Sequence, residues 1–255
     1  MDNELIQKAA DILTEAEHIA VLTGAGVSKE SGIPTFRDAM EGLWAQYDPQ
    51  ELATPQAFKA NPKLVWDWYE WRRTLVADKA PNPGHIALAD LQKRKKAVNI
   101  ITQNVDDLHE QAGSIEVIHL HGNIATHKCF DNCQGTPTIV DINTLKYGED
   151  DIPTCPHCGA YMRPNVVWFG EILPQKELQL AGELAHDCDV MIVVGTSGLV
   201  HPAASLPKIA KGQGTPATII EVNPDYSMIT RIADIKLEAP SGVALPKVLE
   251  AMGNA

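Results

Sequence analysis

The chain has 255 residues, of which 44% are apolar and 21% are charged, with 18 Gly and 17 Pro. A chain of this length and composition supports a sizeable buried core, and it is unlike disordered or collagen-like proteins. Its 33 acidic residues against 21 Lys and Arg give a net charge of −12. This negative charge argues against nucleic-acid and membrane partners, so we expect neither.

The amino-terminal residues carry acidic side chains where a secretion signal needs positive charge and a long apolar run. The sequence also has no stretch of the ~18 apolar residues that a membrane-spanning helix needs. We therefore expect a cytoplasmic protein, and we expect it to be a monomer. Five cysteines are few and odd in number for a disulfide scaffold, which favours metal ligation.

The hydrophobic pattern predicts alternating helices and strands along most of the chain. A helix from Leu5 to Ala16 leads into a short buried strand, and similar apolar runs predict four more strands. The predicted strands cover residues 19–22, 97–102, 116–120, 189–194 and 216–222, and further helices cover residues 202–211 and 243–252. This order is typical of an α/β fold, with helices on both faces of a parallel sheet.

Two regions, residues 36–83 and 122–165, interrupt this alternation. The first is rich in Trp and Tyr, and the second holds four cysteines. We interpret them as a smaller lobe, partly helical and partly a zinc ribbon. The rest, residues 1–35, 84–121 and 166–255, forms a Rossmann-like lobe, and residues 1–255 together form a single domain.

The first predicted strand ends in the turn Thr23-Gly24-Ala25-Gly26-Val27-Ser28. In a Rossmann-like fold, glycines at this turn let the backbone approach a pyrophosphate at a helix amino terminus. The third Gly of the usual fingerprint is replaced by Lys29 or its neighbours, and no acidic residue clearly ends a second strand. On this motif alone, a tight turn that binds nothing is an equal alternative, and an ordinary dehydrogenase is disfavoured.

Four of the cysteines form two closely spaced pairs. Three residues separate Cys129 from Cys133, two separate Cys155 from Cys158, and 21 lie between the pairs. This spacing is typical of a tetrahedral zinc ribbon, in which four thiolates leave no position for water. We therefore predict one structural Zn²⁺, in preference to reduced core cysteines.

Polar residues follow several predicted strands, at the end where parallel sheets bind ligands. The segment 102–106 (TQNVD) follows one strand and 119–122 (HLHG) follows the next, while 195–197 (GTS) and Asn223 follow two later strands. An imidazole at this edge is suited to general-base catalysis. Spacing alone does not choose between His119 and His121, because residues two apart share a strand face.

Together these motifs resemble those of the sirtuins, the NAD-dependent protein deacylases. The matching segments, in the family's order, are GAGVSKESGIPTFRD (24–38), TQNVD (102–106), HLHG (119–122), the cysteine pairs, VVWFGE (166–171), GTS (195–197) and EVN (221–223). They span nearly the whole chain. The resemblance therefore implies that the turn at Gly24 binds NAD.

The resemblance also implies roles for individual residues, with His121 as the catalytic base, Asn104 as a second catalytic residue and His119 as a structural neighbour. The implied cofactor-binding residues are Gly24, Ala25, Gly26, Ser28, Ile33, Pro34, Phe36, Arg37, Gln103, Asn104, Asp106, Gly195, Thr196, Ser197, Asn223, Asp225 and Ser241. An exposed strand edge is implied to pair with an extended peptide. Its residues are Val167, Trp168, Phe169, Gly170 and Glu171.

In the chemistry that the resemblance implies, NAD is a consumed co-substrate, and an acyl group passes from lysine to ADP-ribose as nicotinamide is released. His121, as a neutral imidazole, takes a proton from the ribose. The expected partner is an acylated lysine in a protein or peptide. Plain deacetylation, mono-ADP-ribosyl transfer and a non-catalytic NAD or ADP-ribose sensor are the alternatives, the last disfavoured by the retention of His121, Asn104 and Asp106.

Tyr69 and Arg72 resemble the YxxR pair of the sirtuin subclass that removes succinyl, malonyl and glutaryl groups. Residues three apart share a helix face, so Arg72 is implied to bind a distal carboxylate to which Tyr69 donates a hydrogen bond. Ala39 matches a small residue linked to a wider acyl pocket. We expect removal of succinyl, malonyl and also acetyl groups; the alternative is a surface helix with a solvated Arg.

Overall fold

Aliphatic and β-branched runs form the strands, and segments with helical spacing form the helices. The computed structural model describes residues 2–35, 47–147, 150–212 and 216–253. The strands are β1 (Ile19–Thr23), β2 (Val98–Thr102), β3 (Ile118–His119), β4 (Gly122–Cys129), β5 (Ile139–Val140), β6 (Lys146–Tyr147), β7 (Pro153–Thr154), β8 (Met162–Val166), β9 (Val190–Val194), β10 (Thr218–Val222) and β11 (Ile235–Leu237). The helices are α1 (Asn3–Glu15), α2 (Gly26–Lys29), α3 (Pro49–Leu52), α4 (Pro55–Ala60), α5 (Pro62–Ala77), α6 (Pro83–Arg94), α7 (Leu108–Gln111), α8 (Gln175–Asp187), α9 (Leu206–Gly212) and α10 (Ser241–Ala251).

Six strands form a parallel sheet in the order β11-β10-β9-β1-β2-β3. β1 and β9 are buried at every position, as expected of parallel strands that are covered on both faces. Ile19 and Val21 pack in a cluster with α1, α6 and α10, whereas Ala20 and Leu22 pack with α8 and α9. The predicted α/β fold with helices on both faces is confirmed.

Local capping signals fix where two of the longer helices begin. The Asn82 side chain accepts hydrogen bonds from the backbone of Gly84 and His85, and His85 accepts one from the backbone of Asn82. Asn61 caps α5 in a similar way, and Pro occupies the first turn of both helices. None of the helices in the four described ranges has the length and apolar character needed to cross a membrane.

Two predicted elements differ from the structure. The strand predicted over residues 116–120 is reduced to β3, because Glu116 has a φ of 51° and so leaves the extended conformation. The helix predicted over residues 202–211 starts with a 3₁₀ turn at 203–205 and continues as α9. Pro207 lies in the first turn of α9, where its missing N–H costs no helical hydrogen bond.

The cysteine-rich region forms two small sheets that are separate from the parallel sheet. β5, β4 and β8 make an antiparallel sheet, and β6 pairs with β7. One apolar cluster joins α3, α4 and α5 through Phe58, Trp68 and Tyr69, and another surrounds Cys129 and Cys155. β8 ends at Val166, which is where the predicted lobe boundary falls; the division into two lobes stays a prediction.

Candidate active site

Two glycine-containing turns meet at the carboxyl edge of the parallel sheet. The turn after β1 donates from Gly24 N to Val194 O at 3.0 Å and from Gly26 N to Gly195 O at 2.8 Å. A Cβ on Gly26 would lie 2.7 Å from the Cα of Gly195, a separation that real Cβ atoms do not show. The glycines are therefore required by this close approach of the two turns, whose backbones are in direct contact.

Thr196 links the ends of three strands at this edge. Its hydroxyl accepts a hydrogen bond from Gln103 Nε2 at 3.0 Å, and its carbonyl accepts one from Asn223 Nδ2 at 3.0 Å. Ser197 accepts at its carbonyl from Met228 N, so the loop after β9 is also held by the loop after β10. Asp225 lies on that second loop with its side chain exposed. The predicted residues Gln103, Thr196, Ser197 and Asn223 are thus brought together.

A buried polar chain connects the turn after β1 to the loop after β2. Asn104 Nδ2 donates to Ser28 Oγ at 3.0 Å, and Ser28 Oγ donates to Asp106 Oδ2 at 3.0 Å. Burial raises the pKa of Asp106, although hydrogen bonds from Leu108 N and Ser28 act against this shift. These two hydrogen bonds fix the orientation of the Asn104 side chain relative to Ser28 and Asp106.

His121 follows the short strand β3 and reaches back to the loop after β2. Its Nδ1 lies 2.9 Å from the carbonyl oxygen of Gln103, and a carbonyl only accepts, so Nδ1 carries the hydrogen. Nε2 is then unprotonated, and within the described ranges no hydrogen-bond partner is assigned to it. Burial lowers the pKa of His121 despite the opposing hydrogen bond to Gln103. The side chain is therefore a neutral imidazole with a basic nitrogen available.

His119 has a different environment. Its Nδ1 lies 3.3 Å from Asn104 O, and its Nε2 lies 2.6 Å from Glu110 Oε1. Both ring nitrogens are engaged, so His119 has no nitrogen left to accept a proton from a substrate. The geometry favours His121 over His119 as a general base, the choice that strand spacing left open.

The segment from Val167 to Glu171 is a turn rather than the predicted strand edge, and that expectation was wrong. β8 stops at Val166, and three of the next N–H groups are already used: Val167 N donates to His121 O, Trp168 N to the Glu171 carboxylate, and Phe169 N to Ala53 O. Gly170 has a φ of 84°, which a strand does not allow. Phe169 is 44% exposed, whereas Trp168 is buried.

Tyr69 and Arg72 lie on one face of α5, next to this turn. The Tyr69 hydroxyl accepts a hydrogen bond from Trp168 Nε1 at 2.9 Å, and Tyr69 is 1% exposed. The Arg72 guanidinium lies 5.0 Å from the centre of the Trp68 ring and 5.9 Å from that of Tyr69. Burial lowers the pKa of Arg72 and raises that of Tyr69 to about 12. Arg72 is half-buried, so its guanidinium is partly shielded from solvent.

The four predicted metal ligands converge beside the antiparallel sheet of β5, β4 and β8. The sulfur atoms of Cys129, Cys133, Cys155 and Cys158 all lie within 4.8 Å of one another. Cys129 Sγ lies 3.5 Å from Cys158 Sγ, and Cys133 Sγ lies 3.7 Å from Cys155 Sγ. A tetrahedron with Zn–S bonds of about 2.3 Å has edges of about 3.8 Å, so these thiols match the geometry of a Zn²⁺ site.

The remaining predicted residues are distributed around the same edge. Ala25 begins the short helix α2, and Ile33 N donates to Ser28 O at 3.3 Å, while Pro34 is exposed. Ser241 is buried at the start of α10, where its hydroxyl donates to Glu30 at 3.0 Å. Three predicted residues lie outside the described ranges: Phe36, Arg37 and Ala39.

Two polar side chains near the site were missed by the sequence analysis. Arg163 is 2% exposed and donates to both oxygens of Glu171, at 2.6 and 2.9 Å, and to Val166 O at 2.7 Å. His85 lies 3.5 Å from Ser28 Oγ. The capping pattern at Asn82 gave a local sequence signal for His85. Arg163 had no such signal, because its partner Glu171 is eight residues away and comes into reach only through the turn after β8.

The fold and this geometry define an α/β protein with polar side chains gathered at the carboxyl edge of its parallel sheet and four clustered cysteines that could hold a metal ion. The model of the Sir2 family matches residues 24–202, more than half of the chain. The chain therefore belongs to the Sir2 family.

Similar proteins agree over almost the full length. The chain is 51% identical over 234 residues to an "NAD-dependent protein deacylase" of Ralstonia nicotianae, with 92% of each protein covered. A solved Sir2 homolog–NAD complex is 44% identical, with a TM-score of 0.86 over 98% of this chain and 94% of that one. Sir2Af2 bound to a myristoylated histone peptide is 38% identical, with a TM-score of 0.75 over 98% of this chain and 97% of that one.

Proposed function

We propose that this chain is an NAD-dependent protein-lysine deacylase, which transfers the acyl group of a modified lysine to ADP-ribose and releases nicotinamide. The observation that carries the proposal is the neutral His121 at the carboxyl edge of the sheet, beside the polar chain of Asn104, Ser28 and Asp106. The relatives named as NAD-dependent deacylases and the structural neighbour with NAD support it.

The NAD pyrophosphate would lie along the turn after β1. Gly24, Ala25 and Gly26 would line the phosphates, and Gly24 and Gly26 stand where a Cβ would meet the turn after β9. Thr196, Ser197 and Asn223, with Asp225 and Ser241, would hold the adenosine half. When bound, NAD supplies both the ADP-ribose that accepts the acyl group and the nicotinamide that leaves.

His121 and Asn104 would act at the ribose end of the bound NAD. With Nδ1 donating to Gln103 O, Nε2 of His121 is positioned to take a proton from a ribose hydroxyl. Asn104, fixed through Ser28, would orient the ribose with Gln103 and Asp106. Ile33 and Pro34, with Phe36 and Arg37, would close over this end. Each of these roles is part of the proposal.

The substrate would be an acylated lysine in an extended peptide at the turn from Val167 to Glu171. The N–H groups of Val167, Trp168 and Phe169 are already engaged, so the turn offers its shape and its carbonyl groups rather than free donors. Arg163 and Glu171 would hold the turn in place. A myristoylated histone peptide bound to a structural neighbour supports this class of substrate.

An assay with NAD and acetyl-, succinyl- and malonyl-lysine peptides tests the proposal. We expect nicotinamide and O-acyl-ADP-ribose in equal amounts, and His121→Ala should slow the reaction by about 10²- to 10⁴-fold, the usual contribution of a general base. His186→Ala, at an exposed histidine, is the matched control. No product with any acyl group would favour an NAD or ADP-ribose sensor, and label passing from NAD to protein without an acyl group would favour ADP-ribosyl transfer.

We further propose that the acyl pocket accepts acidic acyl groups. The Tyr69 oxygen accepts from Trp168 and keeps its own hydrogen to donate, and the Arg72 guanidinium lies 5.9 Å from the centre of the Tyr69 ring on the same face of α5. A carboxylate between the two would receive two hydrogen bonds, one of them charge-assisted. Acetyl-lysine would enter the same pocket without these contacts, and Ala39 would widen it.

Substitution of Arg72 tests the acidic-acyl pocket. Arg72→Met should lower kcat/KM for desuccinylation by about 10- to 100-fold, since a hydrogen bond to a charged group contributes about 1.5–3 kcal/mol. Deacetylation should change far less. Lys63→Met, which removes an exposed cation from the same helix, is the matched control. Equal losses for both acyl groups would contradict the proposal.

The four cysteines would hold one structural Zn²⁺, with four thiolates filling the coordination shell. We also propose that the protein is a monomer in the cytoplasm, with neither nucleic acid nor membrane as a partner. The mass measured by light scattering during gel filtration tests the monomer.

A further inference from the structure

The environment of His119 determines its charge. The two atoms that face its ring nitrogens are a carbonyl oxygen, Asn104 O, and a carboxylate oxygen, Glu110 Oε1. A carbonyl only accepts hydrogen bonds, and so does an ionised carboxylate, so both contacts require a hydrogen on each ring nitrogen. Burial raises the pKa of Glu110, but the hydrogen bond and charge of His119 outweigh burial and lower the pKa overall. The carboxyl group is therefore ionised. Both contacts stabilise the imidazolium form of His119, whereas burial favours the neutral form of His121, two residues away.

The charges around His119 are mostly negative. Glu110 comes from α7, and Asp106 from the loop after β2. A cavity of about 430 Å³ beside His119 is also lined by Glu116, Lys176 and Glu177. Burial lowers the pKa of His119, yet the hydrogen bond and charge of Glu110 outweigh it, with smaller contributions from Asn104 and Asp106, and the net shift is upward.

The sheet ends before Asn104, so its backbone is held by side chains: Asn104 N donates to Thr102 Oγ1 at 3.0 Å, and Asn104 O faces the His119 ring. The pairing of β2 with β3 stops at Thr102 opposite His119. The next two carbonyl groups, those of Gln103 and Asn104, accept from the rings of His121 and His119 instead of from a strand. The amide of Asn104 then meets Ser28 on its other side.

We propose that Glu110 and the His119 imidazolium form a positioning pair that fixes the backbone of Asn104 and thereby aims its side chain into the catalytic site. This inference rests on the proposed deacylase function. Glu110 acts through His119, and His119 through Asn104, so neither is a catalytic residue.

The pair has a direction of pH dependence. The pKa of His119 in the folded protein lies above the ordinary value of a histidine. The interaction of His119 with Glu110 is therefore complete below about pH 6.5 and is lost as the pH rises through the raised pKa. Activity should therefore fall on the alkaline side as Asn104 loses its support. On the acid side, activity depends on His121 staying neutral, which its lowered pKa favours.

The test combines histidine NMR with activity. In the wild type, His119 should titrate above the ordinary histidine value; in Glu110→Gln it should titrate lower. The ratio of kcat/KM at pH 8.5 to that at pH 6.5 should fall about tenfold in Glu110→Gln, the equivalent of one pKa unit. Glu110→Asp should partly restore both the raised pKa of His119 and the wild-type ratio of kcat/KM. Glu183→Gln, which removes an exposed carboxylate that accepts a hydrogen bond from Gln179, should change neither.

Two results would overturn the inference: a wild-type His119 that titrates at or below the ordinary histidine value, or a Glu110→Gln enzyme whose pH ratio equals that of the wild type. Should Glu110→Gln fold poorly, Glu110→Asp gives the same comparison with a smaller change. Failure of the proposed function has another signature, because no variant would then release O-acyl-ADP-ribose while the NMR titration of His119 would still be readable.

Discussion

The parallel-sheet lobe and the cysteine-bearing sheet are stabilised by different means. In the first, β1 and β9 are buried at every residue, and apolar clusters cover both faces of the sheet. In the second, β5 has two residues, and the cluster around Cys129 and Cys155 has only six buried residues among those the structure describes, two of them cysteines. Burial of apolar area stabilises the first region, whereas the second depends for its stability on a metal ion bound by the four cysteine sulfur atoms. Loss of metal should therefore affect one region and spare the other.

Removal of metal should give the largest effect and separates the two regions most sharply. Structural zinc binding contributes on the order of 10 kcal/mol of folding free energy, so chelation or Cys155→Ala should unfold β4, β5 and β8. Hydrogen exchange read by mass spectrometry should show lost protection there and retained protection in β1 and β9. Cys188→Ala, at a buried cysteine of the other region, should leave the zinc content unchanged. A fully protected β4 after complete metal removal would contradict the metal site.

The ion pair between Arg163 and Glu171 tests how far the turn after β8 depends on charge. Arg163 is buried with its guanidinium carbon 3.1 Å from the centre of the Trp168 ring. Arg163→Met should lower the free energy of unfolding by about 3–5 kcal/mol, because it leaves a half-buried carboxylate uncompensated. Urea denaturation measures this loss. Lys211→Met, which breaks a more exposed pair with Asp234, should cost no more than about 1 kcal/mol.

Acid should weaken the parallel-sheet lobe through two buried histidines. Burial lowers the pKa of His85 to about 4 and that of His109 to about 3, so both are neutral in the folded protein and take up protons on unfolding below pH 6.5. Each should cost about 1.4 kcal/mol for every pH unit from 6.5 down to its lowered pKa. His109→Gln should flatten the slope of unfolding free energy against pH between 6.5 and 5. His186→Gln, at an exposed histidine, should keep the slope; an equal slope for both variants would contradict the assignment.

A matched pair of glycine substitutions gives the smallest and most local test. Gly26→Ala places a methyl group 2.7 Å from the Gly195 backbone and should cost about 1–3 kcal/mol and weaken NAD binding. Gly182→Ala, on α8, has no atom within 4 Å of the new Cβ and should stabilise the helix by up to about 1 kcal/mol. Calorimetry of unfolding and of NAD binding measures both. Normal NAD affinity in Gly26→Ala would mean that NAD does not lie along this turn.

Much of the site was predictable because its residues follow strands whose apolar runs are plain in the sequence. Gly24, Asn104 and Thr196 meet at one edge for that reason, and the cysteine spacing predicted a cluster that the structure shows. The strand edge expected at Val167 to Glu171 came from the family resemblance and not from a local pattern. Tertiary hydrogen bonds to His121 and Ala53 bend it instead.

The sequence by itself determined the parallel α/β fold, the edge at which polar residues gather and the four sulfur ligands, because each follows from local periodicity or spacing. Only the tertiary structure decided the states of the two histidines. Gln103 O faces one nitrogen of His121, while Asn104 O and Glu110 face both nitrogens of His119. Burial therefore lowers the pKa of His121, whereas the acceptors around His119 raise its pKa. A proton's position depends on which acceptors surround a ring, and these acceptors come from segments that meet only in the folded chain.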